Sequence, residues 1–345
     1  MMTECDLTFH LLRSALDGQT LCLFTQPIEA GTWWKLFRLL QRNHVAALAS
    51  VAFDAMDATQ LPPRDVRVPW IAERDKAINW HLHQATVQQE IVDVMQRHGI
   101  ETLVLKGTHT AQYYPQAELR EFGDLDLYFY DRHDEADRVA REILKVEVSN
   151  DAHHHSKYNY HGVTVESHYD FINRHYPPSN KRYEQLLKKL APSATFEVLF
   201  MLRHMACHFA ASRITLRELV DWALTCRALK EKADWSIVQT TIEDFGMAYF
   251  VQLLNTIAEK RLGLPIPLPT ADSQSLDTKT MEQDIVYGSI GDHNADGLSR
   301  LGWKMKRWHA LGWKRQMVYS DSSLSLWLAS LTSHTMKPQS ILHKQ

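Results

Sequence analysis

The chain has 345 residues, of which 45% are hydrophobic and 23% charged, the balance of an ordinary globular protein with room for about two or three structural units. A net charge of −3 supplies no global field towards nucleic acid or an anionic membrane, so any attraction to polyanions must be local. Cys5, Cys22, Cys207 and Cys226 are scattered without a C-x-x-C pair, which fits reduced thiols better than a disulfide framework or a zinc ribbon. The N-terminus carries acids and lacks the basic-then-apolar order of a signal peptide. No run reaches the roughly 18 apolar residues of a membrane span. The expectation is a soluble, cytoplasmic protein.

Residues 1–97 read as an N-terminal helical region. "WWKLFRLLQRNHVAALASVAFDAM" repeats apolar residues at helical spacing. After the break "QLPPRDVRVP", a long segment runs to Gly99, a plausible helix stop. The texture changes over 98–190. "IETLVLKG" and "DLDLYFY" read as strands, "DEADRVAREILKV" as a helix, and "HGVTVESHYDF" as a third strand, which together describe a small α/β core. "DAHHHSKYNYH", with three consecutive histidines, reads as a solvated turn between the helix and that third strand, with a metal site as the lesser alternative. Residues 191–264 return to helices, 265–298 read as a loop or linker, and 299–345 as a basic, tryptophan-rich tail. The fold class is α+β and mostly α: a small mixed β-sheet core between helical N- and C-terminal flanks.

The chemistry concentrates at "FGDLDLYF". Side chains two apart on a strand share a face, so Asp124 and Asp126 project together, about 7 Å apart, while Leu125 and Leu127 face away. Two parallel carboxylates repel one another, and a bridging divalent cation removes the repulsion. Glu166 shares a face with Thr164 and His168 on the third strand, and becomes the third acid if the two strands are neighbours. Three carboxylates suit Mg²⁺, or Mn²⁺ in its place, together with a nucleoside triphosphate. Upstream, Lys106, Gly107 and Thr108 offer a strand end, close backbone approach and a hydroxyl for phosphate, and Arg120 offers a positive charge. The plainer reading of Asp-Leu-Asp is an edge strand with solvated acids. No G-x-x-x-x-G-K-[ST] loop is present, which disfavours a P-loop NTPase.

"LKGTHTAQYYPQAELREFGDLDLYF" resembles the signature of the polymerase-β-type nucleotidyltransferase superfamily. It is most similar to a bacterial branch of uncharacterised nucleotidyltransferases, through Lys106-Gly107, Tyr114-Pro115, Arg120 and Asp124-Leu125-Asp126-Leu127 in that order. The likeness extends to "RNHVAAL" around His44, to Glu166 and His168, and to His204, His208 and Asp221. Thr108 stands where the superfamily has Gly or Ser, and the gap from Gly107 to Asp124 is longer than usual. The resemblance implies transfer of a nucleoside monophosphate from ATP or another NTP to an acceptor hydroxyl, with release of pyrophosphate. In that scheme Asp124, Asp126 and Glu166 hold the metal ions, and Glu166 also assists deprotonation of the acceptor. Lys106, Gly107, Thr108 and Arg120 bind the nucleotide, and His168, His204 and His208 approach the acceptor or support the ligands. The acceptor could be a small molecule, a peptide, a protein or RNA. Two other classes stay open: a catalytically inactive nucleotide- or partner-binding protein on the same fold, and a metal-dependent phosphohydrolase.

Three further features have plainer readings. His204 and His208 have zinc-ligand spacing, but the Glu of H-E-x-x-H is absent, so a structural or substrate-facing role is expected. Arg217 and Asp221 read as a helix-surface ion pair. Residues 299–316 combine six basic residues with three tryptophans. A helix docked on the core with a basic outer face is expected there, with nucleic-acid or polyanion contact as the alternative.

Overall fold

The computed structural model describes residues 2–17, 27–150, 154–174, 176–288 and 298–336. Four short strands form one mixed sheet: β1 (Leu103–Val104), β2 (Asp124–Tyr128), β3 (His155–Tyr160) and β4 (Val163–His168). Their order is β1-β2-β4-β3, with β2 and β4 parallel and both outer pairs antiparallel. Helices α1 (Glu4–Asp17), α2 (Ala30–Arg42), α3 (Ala46–Ala49) and α4 (Arg64–Arg97) precede the sheet. Within it lie α5 (Thr108–Ala111) and α6 (His133–Glu142). Then come α7 (Asn180–Leu190), α8 (Ala194–Ala211), α9 (Leu216–Ala228), α10 (Trp235–Asp244), α11 (Ala248–Ile257) and α12 (Leu276–Tyr287). The described chain closes with α13 (Leu298–Ala310), α14 (Gly312–Val318) and α15 (Ser323–Met336). The protein is thus α+β and mostly helical. Among the described residues no helix is long and apolar enough to cross a membrane.

The alternation expected of β2 and β4 sets the two faces of the sheet. Leu125, Leu127, Val163 and Val165 are fully buried, in a cluster with Val87 and Ile91 of α4 and Ala136 and Ala140 of α6. The acidic face turns the other way, towards α8. There Phe171, just after β4, packs on Phe196 of α8 at 4.7 Å between ring centroids. This face is where the catalytic candidates lie, and α8 supplies its opposing wall.

Three segments differ from the sequence reading. The stretch read as a turn holds a strand: residues 155–160 form β3. Ser156 and Tyr158 are buried while Lys157 and Asn159 are exposed, so the period of two is real but written in polar residues. The reversal is only His161-Gly162, whose φ values of 50° and 82° suit a two-residue hairpin turn. The segment read as a linker contains α12, capped by Ser275 Oγ accepting from Thr278 N at 3.1 Å and anchored by buried Met281 and Ile285. The first predicted strand shrinks to Leu103–Val104.

The N- and C-terminal helices share one hydrophobic core. Arg261, beyond α11, spans it by pairing with Asp6 of α1 at 2.9 Å and lying over Phe9. The α14 part of the basic stretch is docked on this core through Trp313, as a docked helix was expected, but two of its charges are not on an outer face. Lys314 is fully buried, donating to Asp284 Oδ2 at 2.5 Å and to the Ser212 carbonyl at 2.6 Å. Arg315 is also buried and donates to the Trp308 carbonyl. These two charges therefore do not face a polyanion. Residues 337–345 of the tail lie outside the described residues.

Arg203 of α8 ties the wall of the acidic face to its neighbours. Fully buried, it donates to Asn180 Oδ1 at 2.7 Å, Ser179 Oγ at 2.9 Å and the Val318 carbonyl at 3.2 Å. Truncation would leave three acceptors unpaired and a cavity beside them. Arg203→Ala should therefore lower unfolding stability by on the order of 3 kcal/mol, read from urea denaturation followed by circular dichroism.

Candidate active site

Parallel pairing of β2 with β4 places Asp126 opposite Glu166 and Tyr128 opposite His168. Asp124, Asp126, Glu166 and His168 accordingly rise from one face. Asp126 is buried, and its Oδ1 receives Lys106 Nζ at 3.1 Å and His168 Nε2 at 3.0 Å. Burial alone would push this carboxyl up, but the Lys106 ammonium and the His168 hydrogen bond hold it well below the usual carboxylate range. Asp124, half-buried, behaves oppositely: burial and then the neighbouring Asp126 charge raise its carboxyl. Glu166 is held by Lys157 Nζ at 3.1 Å, with His155 Nε2 at 3.5 Å and His168 Nε2 at 3.7 Å.

The ligand atoms of Asp126, Glu166 and His168 lie within 4.8 Å of one another, as do those of His154, His155 and His168. Among the described residues Asp124 joins neither set. The expected acid trio is therefore half drawn together: Asp126 and Glu166 converge, and Asp124 stands beside them. His154 and His155 are the residues the sequence reading did not bring to the acids, taking their run as a solvated turn in preference to a metal site. They were visible as a histidine run, but that run looks solvated until the polar alternation of β3 is recognised. His153 lies outside the described residues.

The glycine turn is built as a cradle, though not by all the residues expected. Gly107 has φ 67°, and a Cβ there would meet the Phe122 ring at 3.1 Å. Its carbonyl accepts from Arg120 Nη1 at 3.1 Å. Arg120 is buried and bidentate on Asp221, at 2.8 and 2.9 Å, and Asp221 also accepts from Tyr114 O–H at 2.7 Å. Its charge is matched by Asp221, so Arg120 braces the turn from within rather than offering a free positive charge. The Thr108 hydroxyl donates to Gln88 of α4, away from the acids, and Thr110 lines the cleft instead. Lys106 lines the same cleft, 3.1 Å from Asp126.

Asp221 is thus not the partner of Arg217 on a helix surface. Arg217 Nη1 donates to the Glu121 carbonyl at 3.2 Å, while its Nε is buried without a partner. His204 and His208 of α8 stack at 4.1 Å between ring centroids. His204 Nε2 is 3.2 Å from Lys106 Nζ, and burial together with Lys106 holds its imidazole well below the ordinary range. His208 Nδ1 is 3.0 Å from Glu218 Oε1, and Glu218 in turn closes the capping box of α9 with Thr215. The spaced pair is thereby fixed on the cleft wall.

Two clefts meet at this point. The first, about 390 Å³, is lined by Lys106, Gly107, Asp124, Asp126, Glu166 and His204 among others. The second, about 600 Å³, is lined by His44, Trp80, His81, Gln84, Glu121 and further residues. Asp124, Phe122, Arg120 and Arg217 border both. In the second cleft Gln84 is fully buried with neither amide atom hydrogen-bonded, and His81 Nδ1 is likewise unpartnered. Burial pushes the Glu121 carboxyl up to about 7.

A family model described as an uncharacterised nucleotidyltransferase matches residues 29–263, and the chain belongs to that family. The matched span takes in α2 to α11, and with them the sheet and both clefts. No curated protein and no solved structure matches the chain.

Gly107→Ala combines backbone strain with a contact against Phe122, and should destabilise the fold by about 1–3 kcal/mol. A shifted denaturation midpoint at unchanged m-value would show it.

Proposed function

We propose that the chain is an active nucleotidyltransferase that moves a nucleoside monophosphate from an NTP to an acceptor hydroxyl. The observation that carries this reading is the register of Asp126 with Glu166 on neighbouring parallel strands, at the floor of a cleft edged by the Gly107 turn. Asp124, Asp126 and Glu166 are hard oxygen donors of the kind Mg²⁺ takes, and they would hold the divalent ion that accompanies the triphosphate. When bound, that ion neutralises negative charge on the phosphates. The fit rests on the donor set and on a buried Asp126 carboxylate that the Lys106 ammonium and the His168 hydrogen bond already hold ionised.

The remaining work falls to the chain itself. Lys106 supplies positive charge at the acid end of the cleft, and Gly107 allows a phosphate to approach the backbone. Arg217, with an unpartnered Nε between the two clefts, takes the phosphate-neutralising part once expected of Arg120. Arg120 keeps the turn in place through Asp221. The larger cleft opens on the opposite side of Asp124 and accommodates the acceptor, whose donor and acceptor groups would satisfy Gln84 and His81. The acceptor oxygen forms the new bond to the α-phosphorus as the bond to the β-phosphate oxygen breaks, and pyrophosphate leaves. The hydroxyl proton passes to Asp124, which borders both clefts, rather than to Glu166, which is engaged with Lys157 and His155.

The test is incubation with each α-³²P NTP and Mg²⁺ against protein, RNA and small-molecule fractions. Label should enter one fraction with equimolar pyrophosphate, and Asp126→Asn should reduce transfer by at least about a thousandfold. Nucleotide binding without pyrophosphate would identify the inactive binding protein instead. Free nucleoside monophosphate without labelled acceptor would identify a phosphohydrolase.

A further inference from the structure

We propose that His154, His155 and His168 form a binding site for a divalent transition ion of the Zn²⁺ type, separate in preference from a Mg²⁺-nucleotide site. The three rings come from two strands: His155 opens β3 directly opposite His168 at the end of β4, and His154 precedes it. Their centroids are 4.6 Å (His154 to His155), 5.2 Å (His155 to His168) and 5.4 Å (His154 to His168) apart. One nitrogen from each lies within 4.8 Å of the others. Burying polar atoms without partners is costly, yet Nδ1 of both His154 and His155 is buried and unbonded. A cation among the rings would supply the missing partner.

His168 adds an independent indication. Its Nδ1 lies 3.3 Å from the Asp170 carbonyl and its Nε2 3.0 Å from the Asp126 carboxylate, so oxygen acceptors face both nitrogens. A neutral ring can donate to only one of them. An ion at Nε2 reconciles the two, with the Nδ1 proton given to Asp170 as the outer partner that fixes the tautomer. Asp126 and Glu166 are the carboxylates within reach for a further ligand position. Lys106, 3.1 Å from Asp126, is the positive group an incoming ion would meet there. Imidazole donors suit Zn²⁺, Co²⁺, Ni²⁺ or Fe²⁺, whereas Mg²⁺ takes oxygen ligands. The inference does not require nucleotidyl transfer, because it concerns imidazole ligation alone.

The metal-stripped full chain, titrated with Co²⁺, tests it. The expected result is a visible ligand-field band that saturates at an equimolar ratio, is displaced by Zn²⁺ and survives a large excess of Mg²⁺. His154→Gln and His155→Gln should each weaken Co²⁺ binding by at least about tenfold. Asp124→Asn should leave the band in place. Circular dichroism checks that the variants fold; should they not, X-ray absorption of the Zn²⁺-loaded wild type should show scattering from several imidazoles. No band in the wild type, a band undiminished in both folded histidine variants, or an all-oxygen ligand set would overturn the proposal.

Discussion

The buried carboxylate of Asp126 is the constraint around which the protein is organised. An ionised acid in a sheet interior is tolerated only with compensation, and two residues bring it from different elements: Lys106 at the end of β1 and His168 at the end of β4. Each contact also ties sequence-distant parts together. Lys106 reaches on to His204 of α8, so the helical wall, the glycine turn and the sheet share one charged cluster. Asp124, two residues away, is left with a raised carboxyl by its own burial and then by the Asp126 charge, which Lys106 only partly offsets. The unequal states of two adjacent acids follow from the placement of one lysine and one histidine.

A second buried pair, Arg120 with Asp221, does for the turn what Lys106 does for the acids. Removing one partner from a buried ion pair leaves an uncompensated charge, which makes such a pair a rigid link between the segments that bear it. Here the link joins the turn to α9, and through Tyr114 to the segment following α5. The positive φ of Gly107 is thus held by a guanidinium that is itself immobile. Preorganisation of this kind is what charge-stabilising catalysis needs, because donors fixed in place have no reorganisation left to undergo.

Much of this was legible in the residues. The strict alternation of Asp124–Tyr128 and of Val163–His168 predicted both faces of the central strands, and the acid register followed once they proved to be neighbours. The histidine pair of α8 was expected near the site from the family resemblance, and its i, i+4 spacing puts both rings on one face of that helix. What sequence alone concealed was pairing between distant segments. Nothing in Arg120 or Asp221 taken singly says that one neutralises the other, so Arg120 looked available for phosphate and Asp221 looked like a local partner of Arg217. The strand β3 was hidden for a different reason: its buried positions are Ser156 and Tyr158, and Ser156 is buried because its hydroxyl donates to Asp137 of α6 at 2.6 Å. A hydrophobicity pattern cannot register a strand that is anchored by a polar contact.

The account turns on whether the acid face of β2 and β4 is where a metal-bound triphosphate sits. A crystal structure of the full chain with Mg²⁺ and a non-hydrolysable NTP analogue addresses this most directly. The predicted result is the triphosphate along the Gly107 turn, with the ion shared between its oxygens and the carboxylates of Asp124 and Asp126. A nucleotide bound elsewhere on the molecule, with Asp126 still held only by Lys106 and His168, would contradict it.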